Sequence, residues 1–435
     1  MKSNYSSWGL TGQKSQKVQK IKWRTDKLPE LRAGLSLLAY GNGRSYGDSC
    51  LNKEGITLDT RSLDHLIDFD PKTHILRCEA GVLIAEILSN FVPRGWFVPV
   101  TPGTKFVTVG GAIANDVHGK NHHRRGSFGN HVLRLALRRS NGKTLVCSRT
   151  QHADLFYATI GGLGLTGLIV WADILLMPID SGDMQVETCR FETLEQFFDL
   201  SRESEWKYEY TVAWLDCATK KQMGRGIFMR ANHCTGPARL TGKGTDKGTS
   251  LPSGLPGFLI NNITSKAFNA LYYHLHPEGF VEKRQSYDTF FYPLDRIRNW
   301  NRLYGRKGFF QYQCVVPMEG GFRNIETILD EVARSGIASP LAVLKVFGEI
   351  ASKGMMSFPR QGITLAMDFP NAGASVLNLF NRLDDIVADA GGAVYPAKDA
   401  RMDKEHFRKF FPQVDTFKHY VDPAFSSSFW RRVMG

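Results

Sequence analysis

Three glycine-rich segments in the first half of the chain could hold an extended anionic ligand against the backbone. The first, YGNGRSYGD, runs from Tyr40 to Asp48 and follows the apolar stretch 35–39. Glycines after a strand let backbone N–H groups approach an anion closely, and Arg44 and Ser45 add donors suited to a pyrophosphate. The segment is not the dinucleotide fingerprint, in which GxGxxG opens a helix. Taken alone, it predicts either a phosphate site or an ordinary turn.

The second segment combines TPGT at 101–104 with VTVGGAIANDVHGKNHH at 107–123. Its two adjacent glycines suit either a flat ligand lying on the backbone or simple close packing. His118, Asn121, His122 and His123 follow within six residues. Imidazole is the commonest metal ligand, but no carboxylate or cysteine pattern completes a site, so no metal is predicted. His118 is the histidine expected to take part in chemistry.

The third segment, GGLGLTG at 161–167, follows DLFY at 154–157. It predicts either a buried turn between two strands or a second stretch of backbone laid along the ligand.

Length and composition limit the class of protein. A chain of 435 residues predicts two domains, or one domain with a large insertion. Seven widely spaced cysteines without a CxxC pair fit a reducing compartment, and neither a signal peptide nor a membrane span is recognised, so a cytoplasmic location is expected. The net charge of +13 favours an anionic partner or reflects a generally basic surface. Nucleic acid is not predicted, because no basic patch is interleaved with aromatics.

Periodicity indicates the elements that position these segments. Strands are expected at 56–58, 66–69 and 75–78, with a helix of apolar spacing from Val82 to Phe91. Asn141-Gly142 between apolar runs predicts a hairpin. The composition changes near 178–182, and the small, polar, basic run 235–256 predicts a mobile loop.

These motifs, with GSFGNHV at 126–132, resemble the vanillyl-alcohol oxidase and p-cresol methylhydroxylase (PCMH) superfamily of flavoenzymes, and within it the decaprenylphosphoryl-β-D-ribose 2′-oxidases. The resemblance runs from about Tyr40 to the C-terminus and includes the segments 208–214, 308–313, 343–348 and 395–399. It implies a two-domain α+β fold, with a PCMH-type FAD-binding domain and an α+β substrate domain built on an antiparallel sheet. The implied domains are residues 1–180 completed by 393–435, and residues 181–392.

The resemblance also implies roles for individual residues. FAD is expected to contact Gly41, Asn42, Gly43, Arg44, Ser45, Tyr46, Gly47, Gly103, Thr108, Val109, Gly110, Gly111, Asn115, His118, Gly119, Ile169 and Tyr395. The substrate is expected to contact Trp214, Gln311, Gln313, Lys345, Phe347 and Asp368. The expected catalytic residues are Lys398, His118 and Tyr46. Without the resemblance, Lys398 would be interpreted as a surface lysine paired with Asp399 or Asp368.

Two departures from relatives carry further expectations. Many sugar oxidases of the superfamily carry a histidine bonded to the flavin where this chain has Gly43-Arg44-Ser45, so FAD is expected to be non-covalent. The mycobacterial enzymes have a cysteine beside the flavin where this chain has Ala366. Inhibitors that bond to that cysteine are therefore not expected to bond here.

The resemblance implies FAD-dependent oxidation of a secondary sugar hydroxyl. FAD is required because no side chain can accept a hydride. The implied substrate is a polyprenyl-phosphate-linked ribose, oxidised at its 2′-OH to a keto sugar. A short-chain reductase would then complete epimerisation to arabinose, and peripheral contact with the inner membrane would suit the lipid phosphate. The alternatives are a soluble alditol or aldonolactone (D-arabinono-1,4-lactone-type) oxidase and a flavin-binding protein without turnover.

Overall fold

The computed structural model describes residues 5–12, 17–217, 224–236, 249–251 and 261–435. Most of the predicted basic loop, namely 237–248 and 252–256, lies outside the described residues.

A small parallel sheet presents the first glycine-rich segment. Its strands are Lys17–Lys20, Ile56–Asp59 and Leu37–Tyr40, in that spatial order. Leu37, Leu38 and Tyr40 are buried, so the strand is fixed in the core directly before the chain turns at Gly41. The predicted strand at 56–58 is confirmed.

A five-stranded antiparallel sheet lies beside it. Its order is Leu66–Asp70, Ile75–Glu79, Leu168–Leu175, Val132–Arg138 and Thr144–Ser148. The hairpin predicted at Asn141-Gly142 is confirmed: Arg138 pairs with Thr144, and Gly142 takes a φ of 81°, which favours glycine. The predicted helix is Ile84–Phe91, and it buries Ile84, Ile87, Leu88 and Phe91 against this sheet.

An eight-stranded antiparallel sheet forms most of the remainder. Its order is Val281–Ser286, Asp183–Phe191, Gly226–His233, Tyr210–Leu215, Ala342–Phe347, Gly362–Pro370, Phe309–Val316 and Ala393–Val394. Helices Leu194–Ser204, Gly321–Ser335 and Ala374–Asp389 bury their apolar sides with it in the largest core. The other face of its central strands is thereby left for a site. The fold is α+β, as expected.

The remaining elements are short, apart from the 13-residue helix Asn262–His274. The other helices are Val109–Ala114, His122–Arg125, Ala153–Thr159, Asn262–His274, Tyr287–Phe291, Lys404–Phe410, Val414–Lys418 and Ser428–Met434. Short 3₁₀ helices span Asp48–Cys50, Val92–Arg94, Phe128–His131, Pro293–Arg296 and Trp300–Tyr304, and two-residue strands span Trp96–Phe97, Met177–Pro178, Thr249–Ser250 and Ile297–Arg298. Among the described residues, none of the helices has the length and apolar character needed to cross a bilayer.

The C-terminal segment contacts the eight-stranded sheet, the small parallel sheet and the first glycine-rich segment. Its strand Ala393–Val394 pairs with Phe309–Val316, whereas Ser426 N–H donates to the Leu37 carbonyl at 3.0 Å and Arg432 pairs with Asp48 at 2.7 Å. The division into 1–180, 181–392 and 393–435 stays a prediction.

Candidate active site

One cavity of about 550 Å³ joins the glycine-rich segments to the free face of the eight-stranded sheet. All three segments contribute to its wall: 41–46 from the first, 103–119 in part from the second, and Leu163, Gly164 and Gly167 from the third. The third segment follows the helix Ala153–Thr159 and precedes the strand Leu168–Leu175. Its interpretation as a turn between two strands is therefore wrong, because the helix already ends where the glycines begin.

The first segment places the Arg44 cation in the cavity wall. The Arg44 guanidinium lies 4.1 Å from the centre of the Trp8 ring, and its buried Nε makes no hydrogen bond to any described residue. Gly43 takes a φ of 59°, and a Cβ there would lie 2.1 Å from the Tyr40 hydroxyl oxygen. Only glycine lets the chain turn here, so Arg44 is fixed facing a space that an anion could fill.

The second segment contains a short helix, and its glycines are needed for different physical reasons. Thr108 caps Val109–Ala114 by accepting a hydrogen bond from Gly111 N–H at 3.1 Å. A Cβ on Gly110 would lie 3.0 Å from the Ala80 side chain, so this glycine allows close packing. Gly103 faces open space, because a Cβ at this position would meet no atom within 4 Å. The cavity wall is therefore flat at Gly103 because side chains are absent there.

At the sheet end of the cavity, the alternation of side chains along a strand determines which polar residues face the cavity. Gln311 and Gln313 on Phe309–Val316 line the cavity, whereas Tyr312 and Cys314 between and after them are packed in the core. Gln311 pairs with Asp368 across the sheet, and its Nε2 donates to Asp368 Oδ1 at 2.5 Å. Asp368 Oδ2 is buried and makes no hydrogen bond to any described residue.

Lys398 lies in the turn after the strand Ala393–Val394. Its Nζ lies 3.7 Å from the centre of the Tyr46 ring, and Tyr46 N–H donates to the Ala397 carbonyl at 2.9 Å. These contacts hold the lysine at the junction between the first glycine-rich segment and the sheet. Asp399, the partner considered from sequence, instead pairs with Arg432 at 2.9 Å.

His118 is held by side chains of two strands. Gln313 Nε2 lies 2.8 Å from its Nε2, and Lys345 Nζ lies 3.2 Å from its Nδ1. Gln313 Nε2 also donates to Thr364 Oγ1 at 3.3 Å. Both ring nitrogens are thus engaged by protein groups, and Phe347 packs edge-on against the ring at 4.7 Å. The ring orientation is fixed by these contacts.

Burial changes the charge balance of this end of the cavity. It lowers the pKa of Lys398, an effect that the Asp368 carboxylate opposes and the Lys345 ammonium adds to. Burial likewise raises the pKa of Asp368 and lowers that of Lys345 to about 8. The pKa of His118 falls well below its usual range because of burial and the nearby Lys345. The cluster therefore holds neutral imidazole and lysines that lose a proton more easily than exposed ones.

The cavity brings together most of the residues expected from sequence. Those lining it are Gly41, Asn42, Gly43, Arg44, Ser45, Tyr46, Gly103, Thr108, Gly110, Gly111, Asn115, His118, Gly119, Ile169, Trp214, Gln311, Gln313, Lys345, Tyr395 and Lys398. Ala366 also lines it.

Four expected residues lie outside the lining. Val109 is fully buried in the core of the five-stranded sheet, and a Cβ on Gly47 would lie 1.5 Å from the Asp399 carbonyl oxygen, so Gly47 is a packing glycine. Phe347 and Asp368 lie behind the wall, against His118 and Gln311 respectively.

Sequence reasoning missed other lining residues. Lys120 lines the cavity, its ammonium donates to the Phe290 carbonyl, and burial lowers its pKa to about 7. It stands two residues after His118, so its signal was present in the second segment. Asp295 and Tyr272 also line the cavity, but no motif surrounds them.

Comparison with known proteins accounts for this arrangement. A family model described as an FAD binding domain matches residues 31–148. The chain is 36% identical over 418 residues to decaprenylphosphoryl-β-D-ribose oxidase of Mycolicibacterium smegmatis, covering 92% of this chain and 89% of that protein. The chain belongs to the decaprenylphosphoryl-β-D-ribose oxidase family.

Two further relatives extend this assignment. An uncharacterized protein of Streptomyces coelicolor is 32% identical over 367 residues, covering 80% of this chain and 98% of that protein. The human Delta(24)-sterol reductase is 29% identical over 117 residues, covering 27% of this chain and 23% of that protein. The predicted resemblance is confirmed, and this member of the oxidase family is an FAD-dependent oxidoreductase.

The residues of the cavity fit FAD. The Arg44 Nε, which has no hydrogen-bond partner in the part of the chain that the structure describes, suits a pyrophosphate. The open space at Gly103 suits a group lying flat on the backbone. The Tyr395 ring stacks on Phe358 with 4.5 Å between the ring centres. Its hydroxyl donates a hydrogen bond to the Asn115 carbonyl at 2.8 Å. This fixes an aromatic wall between the glycine-rich end and Lys398.

Proposed function

We propose that this enzyme oxidises the 2′-OH of a polyprenyl-phosphate-linked ribose to a keto sugar. The observation that carries the proposal is a cavity in which the glycine-rich end, with the Arg44 guanidinium, meets the buried His118 and Gln313 and the half-buried Lys398 and Lys345. Membership of the oxidase family supports the substrate class. The polar side chains of Gln311 and Gln313 suit the hydroxyl groups of a sugar.

Removal of the hydroxyl proton is assigned to Lys398. Bound FAD supplies the acceptor for the hydride that leaves the carbinol carbon. The Lys398 amine takes the hydroxyl proton, because burial and Lys345 both favour its neutral form. The Nζ atom of Lys398 lies over the face of the Tyr46 ring, which holds the lysine in place. Burial raises the pKa of Tyr46 well above its usual range, so almost no phenolate is present to act as a base.

His118 is assigned a positioning role. Its two nitrogens are engaged by Gln313 and Lys345, which leaves neither free to take a substrate proton. A neutral imidazole accepts a hydrogen bond at one nitrogen and donates at the other, and its contacts with both side chains fix Gln313 and Lys345 relative to each other. The sugar is thereby held by a preorganised set of donors beside Lys398.

FAD is proposed to be non-covalent. Gly41, Gly43, Gly103 and Arg44, which line one end of the cavity, would hold the pyrophosphate and adenine side of FAD, and Tyr395 would lie near its flavin. Support comes from the arginine at 44, where relatives with bonded flavin carry a histidine, and from the engaged nitrogens of His118.

The product and the substrate imply partners. A keto sugar requires a hydride donor to become the arabinose epimer, so a short-chain reductase is proposed to act next. The lipid carrier implies that the enzyme works at a membrane surface. The cytoplasmic location stays a prediction.

The test is spectroscopic. Purified enzyme is precipitated with acid, and its absorbance is followed during anaerobic titration with lipid-linked ribose, free alditols and aldonolactones. Yellow colour in the supernatant and bleaching by the lipid-linked ribose alone support the proposal. Colour in the pellet contradicts non-covalent FAD, and bleaching by free alditols or aldonolactones favours the soluble-sugar oxidases.

A further inference from the structure

The helix Asn262–His274 has its apolar residues on the outside. Ile263, Phe268, Leu271 and the C-cap residue Leu275 are 80%, 51%, 61% and 71% exposed, and we call them the apolar face. A surface helix of a globular protein normally turns such residues toward the core. The exposure of four large apolar side chains within thirteen residues therefore marks a surface that something covers.

Polar contacts fix the helix in this orientation. The buried side carries Ser265, Asn269 and Tyr273, which recur every four residues and so lie on one face. Asn269 Nδ2 donates to Asp216 Oδ1 at 3.0 Å and to the Ser339 carbonyl at 3.3 Å. Rolling the helix to bury its apolar residues would break these buried hydrogen bonds, which costs free energy.

The apolar face is continuous with the cavity. Phe268 lines the cavity while remaining half exposed, and its ring stacks on Tyr272 at 5.8 Å. Tyr272 also lines the cavity and packs on Trp214 at 4.9 Å. An apolar path therefore leads from the outside of the helix to the sheet side of the cavity, the side that carries Lys345.

We infer that the apolar face of helix Asn262–His274 inserts into the interfacial layer of an anionic lipid bilayer and holds the cavity against the membrane. The inference deepens the proposed function, since a polyprenyl-linked sugar reaches the cavity from a bilayer. Amphipathic helices bind in this way when apolar area and electrostatic attraction act together. The net charge of +13 favours an anionic lipid surface over a second copy of the same basic chain.

The test is co-sedimentation of the full-length, FAD-loaded enzyme with vesicles of phosphatidylglycerol and phosphatidylcholine. The triple variant Ile263→Asn, Leu271→Asn, Leu275→Asn should lower the partition coefficient at least about tenfold, because three apolar side chains leave the interface. The matched control Trp23→Asn changes a 61% exposed side chain beside the five-stranded sheet and should bind as the wild type does. Flavin absorbance and the unfolding midpoint establish that each variant is folded.

Each other outcome contradicts the inference. Equal binding by the triple variant, or no binding by the wild type, removes the bilayer as the occupant. Sedimentation equilibrium that finds a wild-type dimer dissociated by the triple variant assigns the face to self-association. Vesicle binding is measured without substrate, whereas bleaching by lipid-linked ribose is measured in detergent, so failure of either proposal is distinguished from failure of the other.

Discussion

The charges around Lys398 should move the pH dependence of catalysis in opposite directions when they are removed one at a time. If neutral Lys398 takes the hydroxyl proton, kcat/KM falls on the acid side of its pKa. Asp368→Asn removes a negative charge that raises this pKa, so the acid limb should move to lower pH. Lys345→Met removes a positive charge that lowers it, so the limb should move to higher pH.

The size of the shift follows from distance and dielectric. Two unit charges 4 Å apart interact by roughly 4 kcal/mol at an effective dielectric constant of about 20. Lys398 and Asp368, both among the described residues, form no ion pair within 4.0 Å. Their interaction energy is therefore smaller than the 4 Å value. One pKa unit corresponds to about 1.4 kcal/mol, and we expect shifts of about one pH unit.

The assay is the anaerobic rate of flavin bleaching across pH with limiting substrate. Asp368→Asn keeps the size of the side chain and an oxygen that can accept from Gln311, so the wall should persist. The flavin spectrum of each variant serves as the control for an intact site. Limbs that stay in place, or that move in the same direction in both variants, would refute Lys398 as the base.

Three other perturbations test the site and its support. Tyr46→Phe keeps the ring below the lysine and should lower kcat less than about tenfold, whereas a loss of 10²-fold or more would make the phenol the base. Gly103→Val places a side chain in the open space of the cavity and should weaken FAD binding, which is measured by flavin fluorescence on dilution. The control Gly279→Val also adds a side chain in open space, but outside the cavity lining, and should leave FAD binding unchanged. Asp384→Ala removes the nearer of the two buried carboxylates that pair with Arg401, leaving Asp399 at 3.7 Å, and should cost about 3 kcal/mol in urea unfolding. A loss below about 1 kcal/mol would contradict a structural role for the Arg401–Asp384 pair.

Local chemistry made part of this protein predictable from its sequence. Asn141-Gly142 predicted its hairpin because positive φ is a local requirement that glycine satisfies. The glycine-rich segments indicated a ligand site because a backbone without side chains leaves room for a ligand wherever it runs. Motif resemblance then supplied the residues from the second half, including Lys398, which no local pattern distinguished from a surface lysine.

Only the tertiary structure decided which of these residues meet. Gly47 and Gly103 both belong to the glycine-rich segments, yet Gly47 packs against the Asp399 carbonyl and Gly103 faces open space. The contact between His118 and Lys345 spans 227 positions, so it depends on how the sheets pack and not on spacing. The sequence also did not predict that the apolar side of helix Asn262–His274 faces outward. Periodicity gives the amphipathic pattern of a helix but not which side faces the protein.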